Sequence, residues 1–181
     1  MQWRALQLAI AGTSVWRRIL VHDSLSLFDL HRIIMAVFGW SGQKLHGFII
    51  DGDLYDAEGH GSDRDERLMS LGDVFEKGIR EFSYNYDYTA EWEVRISLLH
   101  PLDGSETPRS VCCVAGEGAA PPEHIGGPLP FRRFLSALQK EHSPEQAEAQ
   151  RVLGGDFIPE LCNLSTCNNR LLSLSLQIKQ E

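Results

Sequence analysis

Between Trp16 and Trp40 the chain reads WRRILVHDSLSLFDLHRIIMAVFGW, and the spacing of its apolar residues dictates a strand followed by an amphipathic helix. Leu27, Leu30, Ile33, Ile34, Val37 and Phe38 recur at helical steps, which predicts one buried face, with Asp29, His31 and Arg32 assigned to the opposite side. Ser26 stands at the N-cap position, and Asp29 three residues later completes a capping-box pair at the positive end of the helix dipole. Gly39 supplies the left-handed stop. Six such side chains contribute roughly 1.5–3 kcal/mol each when fully buried, so this helix must lie against an apolar surface.

Strand-like alternation surrounds it. Residues 3–10 and 15–21 flank a Gly12-Thr13-Ser14 turn and predict a hairpin, with Val15, Arg17, Ile19 and Val21 on one face and Trp16, Arg18 and Leu20 on the other. Residues 45–50 and 54–56 predict a second hairpin around Asp51-Gly52-Asp53, placing His46, Phe48 and Ile50 together. Residues 57–67, AEGHGSDRDER, offer no apolar anchor and read as an exposed loop that contains His60. A short helix should bring Leu68, Leu71, Val74 and Phe75 inward between a Ser70 cap and a Gly78 stop. The clearest alternation belongs to 81–87 and 91–98, where Phe82, Tyr84 and Tyr86 match Trp92, Val94, Ile96 and Leu98 in an antiparallel hairpin with one covered face.

Beyond residue 100 the texture changes. PLDGSETPRS reads as a loop and GEGAAPPEHIGGPLP as an irregular, shaped segment rich in Gly and Pro. Two helices should follow, from Phe131 to about Glu141 and from Pro144 to Leu153 behind a Ser143 cap. Phe157, Ile158, Leu161 and Leu164 suggest a docking strap, and Asn168 to Leu174 a last short helix or extended piece. The fold expected is α+β: a β-grasp-like mixed or antiparallel sheet packed on one main helix, with a C-terminal helical extension. One domain should span 1–181, with 1–100 as core and 101–181 packed on it.

Composition narrows the function classes. The chain has 181 residues, 43% of them hydrophobic, enough for one real core. The N-terminus lacks the pattern of a signal peptide, and no apolar run approaches the ~20 residues that cross a bilayer, so a soluble cytoplasmic protein is the default. A net charge of −8 opposes unassisted binding to a phosphate backbone unless basic residues gather on one surface. Cys112, Cys113, Cys162 and Cys167 fit reduced thiols better than a disulfide framework, and Cys162-x4-Cys167 is looser than a usual zinc knuckle. Motifs of serine hydrolases, zincins and phosphate-binding loops are absent, which disfavours nucleotide binding.

The candidate binding residues are Arg17, Arg18, His46, Asp87, Trp92, Glu123 and His124. Each has a plainer role beside the functional one. Arg17 and Arg18 can solvate a strand edge, His46 can be a satisfied core histidine, and Trp92 can simply fill the core. Asp87 can bond backbone N–H groups at a turn, while Glu123 and His124 can orient the loop after Pro-Pro. His46, Asp87, Glu91, Glu123 and His124 could alternatively converge on a divalent metal, with Cys113 a further weak ligand candidate; no cofactor is otherwise expected.

The order of WRRILV, a Leu-rich helix ending in FGW, LHGFII, YNYDYTAEWEVRI, APPEHIGG with FRRFLSAL, and GGDFIPE resembles the pRiA-plasmid ORF-three-like family over residues 3 to 172. The resemblance implies a small α+β protein of a kind found in bacteria and archaea, some members encoded on plasmids or transposons, and it implies no particular activity. It directs attention to Trp16, Arg17, Arg18, His46, Asp87, Trp92, Pro121, Pro122, Glu123, Gly126 and Gly127 as recurrent positions. Where the family often has Phe-Gly-Asp this chain has Tyr88-Thr89-Ala90, and Ala120 and Ile125 stand where cysteines often occur, which removes support for a metal role there. The expected function is a binding or accessory module for an unknown protein or nucleic-acid partner, linked to mobile elements, with a metal-dependent hydrolase or nuclease as the alternative. A homodimer through an open edge at the first two strands is the third option.

Overall fold

The computed structural model describes residues 2–57, 61–99 and 108–178, with side chains described as far as residue 175. Seven strands, β1 (Trp3–Ile10), β2 (Trp16–His22), β3 (His46–Ile50), β4 (Asp53–Tyr55), β5 (Glu81–Tyr86), β6 (Trp92–Leu98) and β7 (Cys112–Glu117), form one sheet. Their order is β4-β3-β5-β6-β1-β2-β7, and every pairing is antiparallel. The α-helices among the described residues are α1 (Leu27–Phe38), α2 (Leu71–Glu76), α3 (Pro128–Leu138), α4 (Pro144–Leu153) and α5 (Leu164–Ile178). The fold is therefore α+β, and the sheet is antiparallel throughout rather than mixed.

The register explains the core. Phe48 lies opposite Tyr84, Tyr84 opposite Val94, Val94 opposite Ile10, and Leu8 opposite both Ile96 and Arg17. Because side chains directly opposite share a face, these residues line a single continuous surface. The α1 residues Leu27, Leu30, Ile33, Ile34, Val37 and Phe38 belong to the same buried cluster. Ser26 caps α1 as the pattern requires: its hydroxyl accepts from Asp29 N at 3.1 Å, and Asp29 returns the bond to Ser26 N at 3.0 Å. Gly39 closes the helix at φ 74°. Ser70 and Asp73 repeat the reciprocal cap on α2.

Several expectations are corrected. The missed strand β7 pairs with β2, so β1 and β2 are both interior, and an edge-to-edge homodimer would have to use β4 or β7. Arg17 is consequently no solvating edge residue: it is 2% exposed on the inner face, while Arg18 is half-buried on the outer one, its guanidinium over the Trp16 ring. His31 belongs to the buried side of α1, four residues after Leu27 and three before Ile34. The loop 57–67 does have an anchor, the wholly buried Glu66, whereas Leu68 is 84% exposed. His60 lies outside the described residues, as do 101–107. Helix α3 starts at Pro128 because proline suits the first turn. Ile158 and Leu161 are exposed rather than docked, and the final segment is a full helix, α5, lying against α1 and β7.

Candidate functional site

Three chain segments meet at one end of the β3–β5–β6 part of the sheet: the turn after α1, the β5–β6 turn, and Pro121–Gly127. Each is shaped by its own sequence. In the β5–β6 turn Asp87 takes φ 52° and its Oδ1 accepts from Thr89 N at 3.2 Å and Ala90 N at 3.4 Å, the turn-bonding role of a short acidic side chain. Glu91 follows at φ 56° and its N–H returns to the Asp87 carbonyl. Pro122 leads into a single 3-10 turn, Glu123–Ile125, ended by Gly126 at φ 83°. Gly127, at φ 112°, then passes so close to the β5–β6 turn that a Cβ there would collide with the Ala90 carbonyl oxygen. Gly126 is thus called for by its backbone angle alone, and Gly127 by both angle and space.

Glu123 joins the segments. Its carboxylate accepts from Ser41 N at 2.9 Å, from Ser41 Oγ at 2.8 Å and from the Tyr86 hydroxyl. Partial burial pushes its pKa up, but the bonds from Tyr86 and Ser41 outweigh this and hold the carboxyl below its ordinary range. Burial and the same carboxylate raise the Tyr86 phenol. The Tyr86 oxygen also accepts from Gly42 N at 3.0 Å, and Trp40 stacks on the Tyr86 ring at 5.3 Å while its Nε1 donates to Pro121 O at 3.0 Å. Trp92 lies against Trp40 and is wholly buried, so it supports this wall from within and offers no surface for stacking.

Around these residues opens a cleft of about 590 Å³ lined by Ser41, Lys44, Asp87, Thr89, Glu123 and His124, together with Ala90 and Gly126. The exposed His124 reaches Val152 O at 3.3 Å through Nε2. Of the predicted residues, the structure brings together Asp87, Glu123 and His124. It does not bring His46 into the cleft, because that ring faces the core. There its Nε2 meets both oxygens of Glu66, at 3.1 and 3.2 Å, and its plane stacks on His31 at 3.6 Å, only 3° from parallel. His31 Nδ1 is 2.6 Å from the Tyr84 hydroxyl. Burial first, then His46 and Arg32, push the His31 pKa down to about 3, so the ring is neutral. Arg17, Arg18 and Cys113 lie on β2 and β7, away from the residues lining this cleft.

Sequence reasoning missed Ser41, Lys44, Tyr86, His31 and Glu66. Tyr86 carried a usable signal, since a tyrosine on a covered strand face needs a hydroxyl partner. His31 carried another in its helical phase. Glu66 carried none, being one acid within a charged run.

Of the candidate metal ligands, Glu123 and His46 are already bonded to protein partners, while Asp87 is bonded through one oxygen only. Glu123 accepts three bonds, Asp87 Oδ1 holds its own turn, and His46 is on Glu66. Among the described residues no three His, Cys, Asp or Glu side chains form a group able to hold a metal ion. No described helix is long and apolar enough to cross a membrane.

Comparison with known proteins agrees with this architecture. The uncharacterized protein y4hQ of Sinorhizobium fredii (strain NBRC 101917 / NGR234) is 30% identical over 168 residues, 89% of this chain and 85% of that protein. The crystal structure of MM3350, a protein of unknown function from Methanosarcina mazei Go1, aligns with a TM-score of 0.81 at 32% identity, covering 90% of this chain and 96% of that one. The family model described as plasmid pRiA4b ORF-3-like protein matches residues 4–166, and the chain belongs to that family.

Proposed function

We propose that the protein is an accessory binding module that takes a polypeptide segment of a partner protein in the cleft between Ser41–Lys44, Asp87–Ala90 and Glu123–Gly126. The observation that carries this reading is the rigid convergence of three separate segments on one cleft whose polar groups are unevenly committed. Glu123 is fully engaged in holding the wall, whereas the exposed Lys44 ammonium, near enough to help lower the Glu123 pKa, makes no direct ion pair or hydrogen bond among the described residues. Lys44 therefore suits a partner carboxylate, and Asp87 Oδ2, which no hydrogen bond occupies among the described residues, suits a partner N–H. Leu45 and Tyr88, 53% and 47% exposed, neighbour the lining residues in the chain, with the Tyr88 hydroxyl laid beside Gly47 of β3. Two carboxylates in the cleft and a net charge of −8 favour protein over nucleic acid.

The plasmid in the family name supports placing this module among proteins that assist mobile elements. The reading needs no cofactor and no membrane, and it assigns the protein to the cytoplasm. Among the described residues the hydrolase alternative has no group of three ligands to rest on.

A photo-crosslinking amino acid at the exposed Thr89, with a second at Glu148 on α4 as a control, tests it in the native cell. The Thr89 probe should capture one protein that the Glu148 probe does not, and Lys44→Glu should weaken that partner's affinity measured with purified components by about tenfold, as for loss of one charged contact. Identical captures from both positions, or capture of nucleic acid from Thr89, would overturn the reading.

A further inference from the structure

A second site lies at the β7 edge of the sheet, where β2, β7, α1 and α5 meet. Arg17 is 2% exposed there, directly over the Phe38 ring. Its Nη1 donates to Trp16 O at 2.7 Å and to Glu117 O at 2.9 Å, and its Nη2 to Gly118 O at 2.9 Å. All three acceptors are neutral carbonyls. Its buried Nε has no partner, and no carboxylate pairs with Arg17 among the described residues. A guanidinium out of water without counter-charge is costly, so an anion is expected beside it.

The group positioned to be that anion is Cys167. The thiol lines a cleft of about 250 Å³ together with Arg17, Arg170, Asp156, Asn163 and Thr166. Arg170 comes in from α5 and lies against Gly39, at the carbonyl-rich end of α1. Cys113, whose sulfur reaches the Ala115 carbonyl at 3.5 Å, belongs with Cys167 to one buried cluster and interacts with it directly, and Asn168 ties the two segments together. Its Oδ1 accepts from Cys113 N at 2.8 Å and its Nδ2 donates to Cys113 O at 2.9 Å, clamping β7 to the residue next to Cys167. The bulge in the β2–β7 pairing leaves Cys113 opposite Ile19, on the inner face.

The surrounding charges agree. The hydrogen bond from Cys113 pulls Cys167 below the ordinary thiol range, and Arg17 and Arg170 add to this against the opposing effect of burial. The same bond, with burial, pushes Cys113 up. The contacts working the other way are Asp156 in the cleft and the Val37 carbonyl, 3.3 Å from the Cys167 sulfur. Cys162 is the third thiol nearby: a Cβ at Gly116 would stand 2.6 Å from its sulfur and 2.8 Å from Arg17 Cδ.

We propose that Cys167 and Cys113 form a dithiol site that is oxidised by small hydroperoxides, with Cys167 as attacking nucleophile and Cys113 as resolving thiol. The Cys167 sulfur takes the terminal oxygen of the peroxide; the S–O bond forms, the O–O bond breaks, and the departing alkoxide or hydroxide leaves as alcohol or water after taking, through solvent, the proton that the Cys167 thiol released. Cys167 is then a sulfenic acid, oxidised by the two electrons that reduced the peroxide. The Cys113 sulfur attacks the Cys167 sulfur, the S–S bond forms, and the hydroxyl leaves with the Cys113 proton as water.

Hydrogen peroxide on the reduced full-length protein, followed by differential alkylation and peptide mass spectrometry, is the test. Cys167 should oxidise at least about ten times faster than Cys112, whose thiol is pushed up by burial, and the product should be a Cys113–Cys167 disulfide. Cys113→Ser should leave a Cys167 sulfenic acid that a dimedone probe traps, and Arg170→Gln should slow the reaction several-fold and shift its pH profile upward. The exposed Arg170 is a variant that keeps the fold even where a cysteine substitution does not. Oxidation of Cys167 no faster than that of Cys112, or a disulfide to Cys162 instead, would overturn the assignment.

Discussion

Lowering the pH should destabilise this protein through His31 before ordinary carboxylates titrate. The ring is 6% exposed and its pKa is pushed from 6.5 down to about 3, by burial first and then by His46 and Arg32. Other groups facing it are the Tyr84 hydroxyl and, through His46, the Glu66 carboxylate. In the unfolded chain the imidazole binds a proton near pH 6.5 that the folded chain refuses. The stability associated with a neutral His31 is therefore fully present above 6.5, declines as pH falls, and stops declining as pH passes about 3. One proton of difference corresponds to about 1.4 kcal/mol per pH unit, so from 6.5 to about 5 this single ring should remove about 2 kcal/mol. That is a large part of a typical total of ~5–15 kcal/mol. Urea unfolding of the wild type and His31→Gln, from about pH 7.5 to about 5, measures it. Gln can accept from Tyr84 but has no proton to bind, so its stability should fall with a slope shallower by one proton. Parallel slopes, or ring nitrogen NMR shifts showing His31 protonated near pH 6.5 in the folded protein, would refute the argument.

Glu66→Ala should cost about 3–5 kcal/mol in urea unfolding, because it leaves His46 buried without its partner. Tyr86→Phe should cost about 1–2 kcal/mol by thermal or urea melts and raise the Glu123 pKa read by carboxyl NMR, since it removes one of the three bonds to that carboxylate. Gly127→Ala should destabilise by at least about 1 kcal/mol, and faster amide exchange at Ala90 should report the turn being pushed away; no change would mean that the close approach is not required.

The local elements were legible because their causes are local. The Ser26/Asp29 cap, the Gly39 stop and the Ser143 cap each follow from residues within one turn of one another, and the 81–98 hairpin from two adjacent runs of alternation. Strand β7 was not legible: CCVAGE has little alternation and two small residues, and it becomes a strand only because β2 offers an unpaired edge. The error over Arg17 follows from that one omission, since the expected sheet ended where β7 lies. At the site, the pairing of Asp87 with Glu123 and His124 was expected from types of residue alone, while His46 was placed there wrongly because its partner Glu66 sits in a loop that looked wholly solvated. Long-range polar pairs of this kind leave no periodic trace.

The turn from Trp40 to Leu45 shows why a core would keep such costly polar groups. Its outer face lines the cleft, where Ser41 is gripped by Glu123. Its inner face rests on polar atoms: Gly42 N on the Tyr86 hydroxyl, and the Lys44 carbonyl 3.4 Å from His46 Nδ1. An apolar core could bury the same area at less electrostatic cost, but it could not direct two backbone groups of a six-residue turn to fixed points. Removing Glu66 should therefore disturb the cleft at long range, which Glu66→Gln separates from simple unfolding: the variant should still fold, while the amide NMR shifts of Gly42 and Lys44 move and those of the β1–β2 hairpin do not. Uniform small shifts across the chain would mean that the buried pair acts on stability alone.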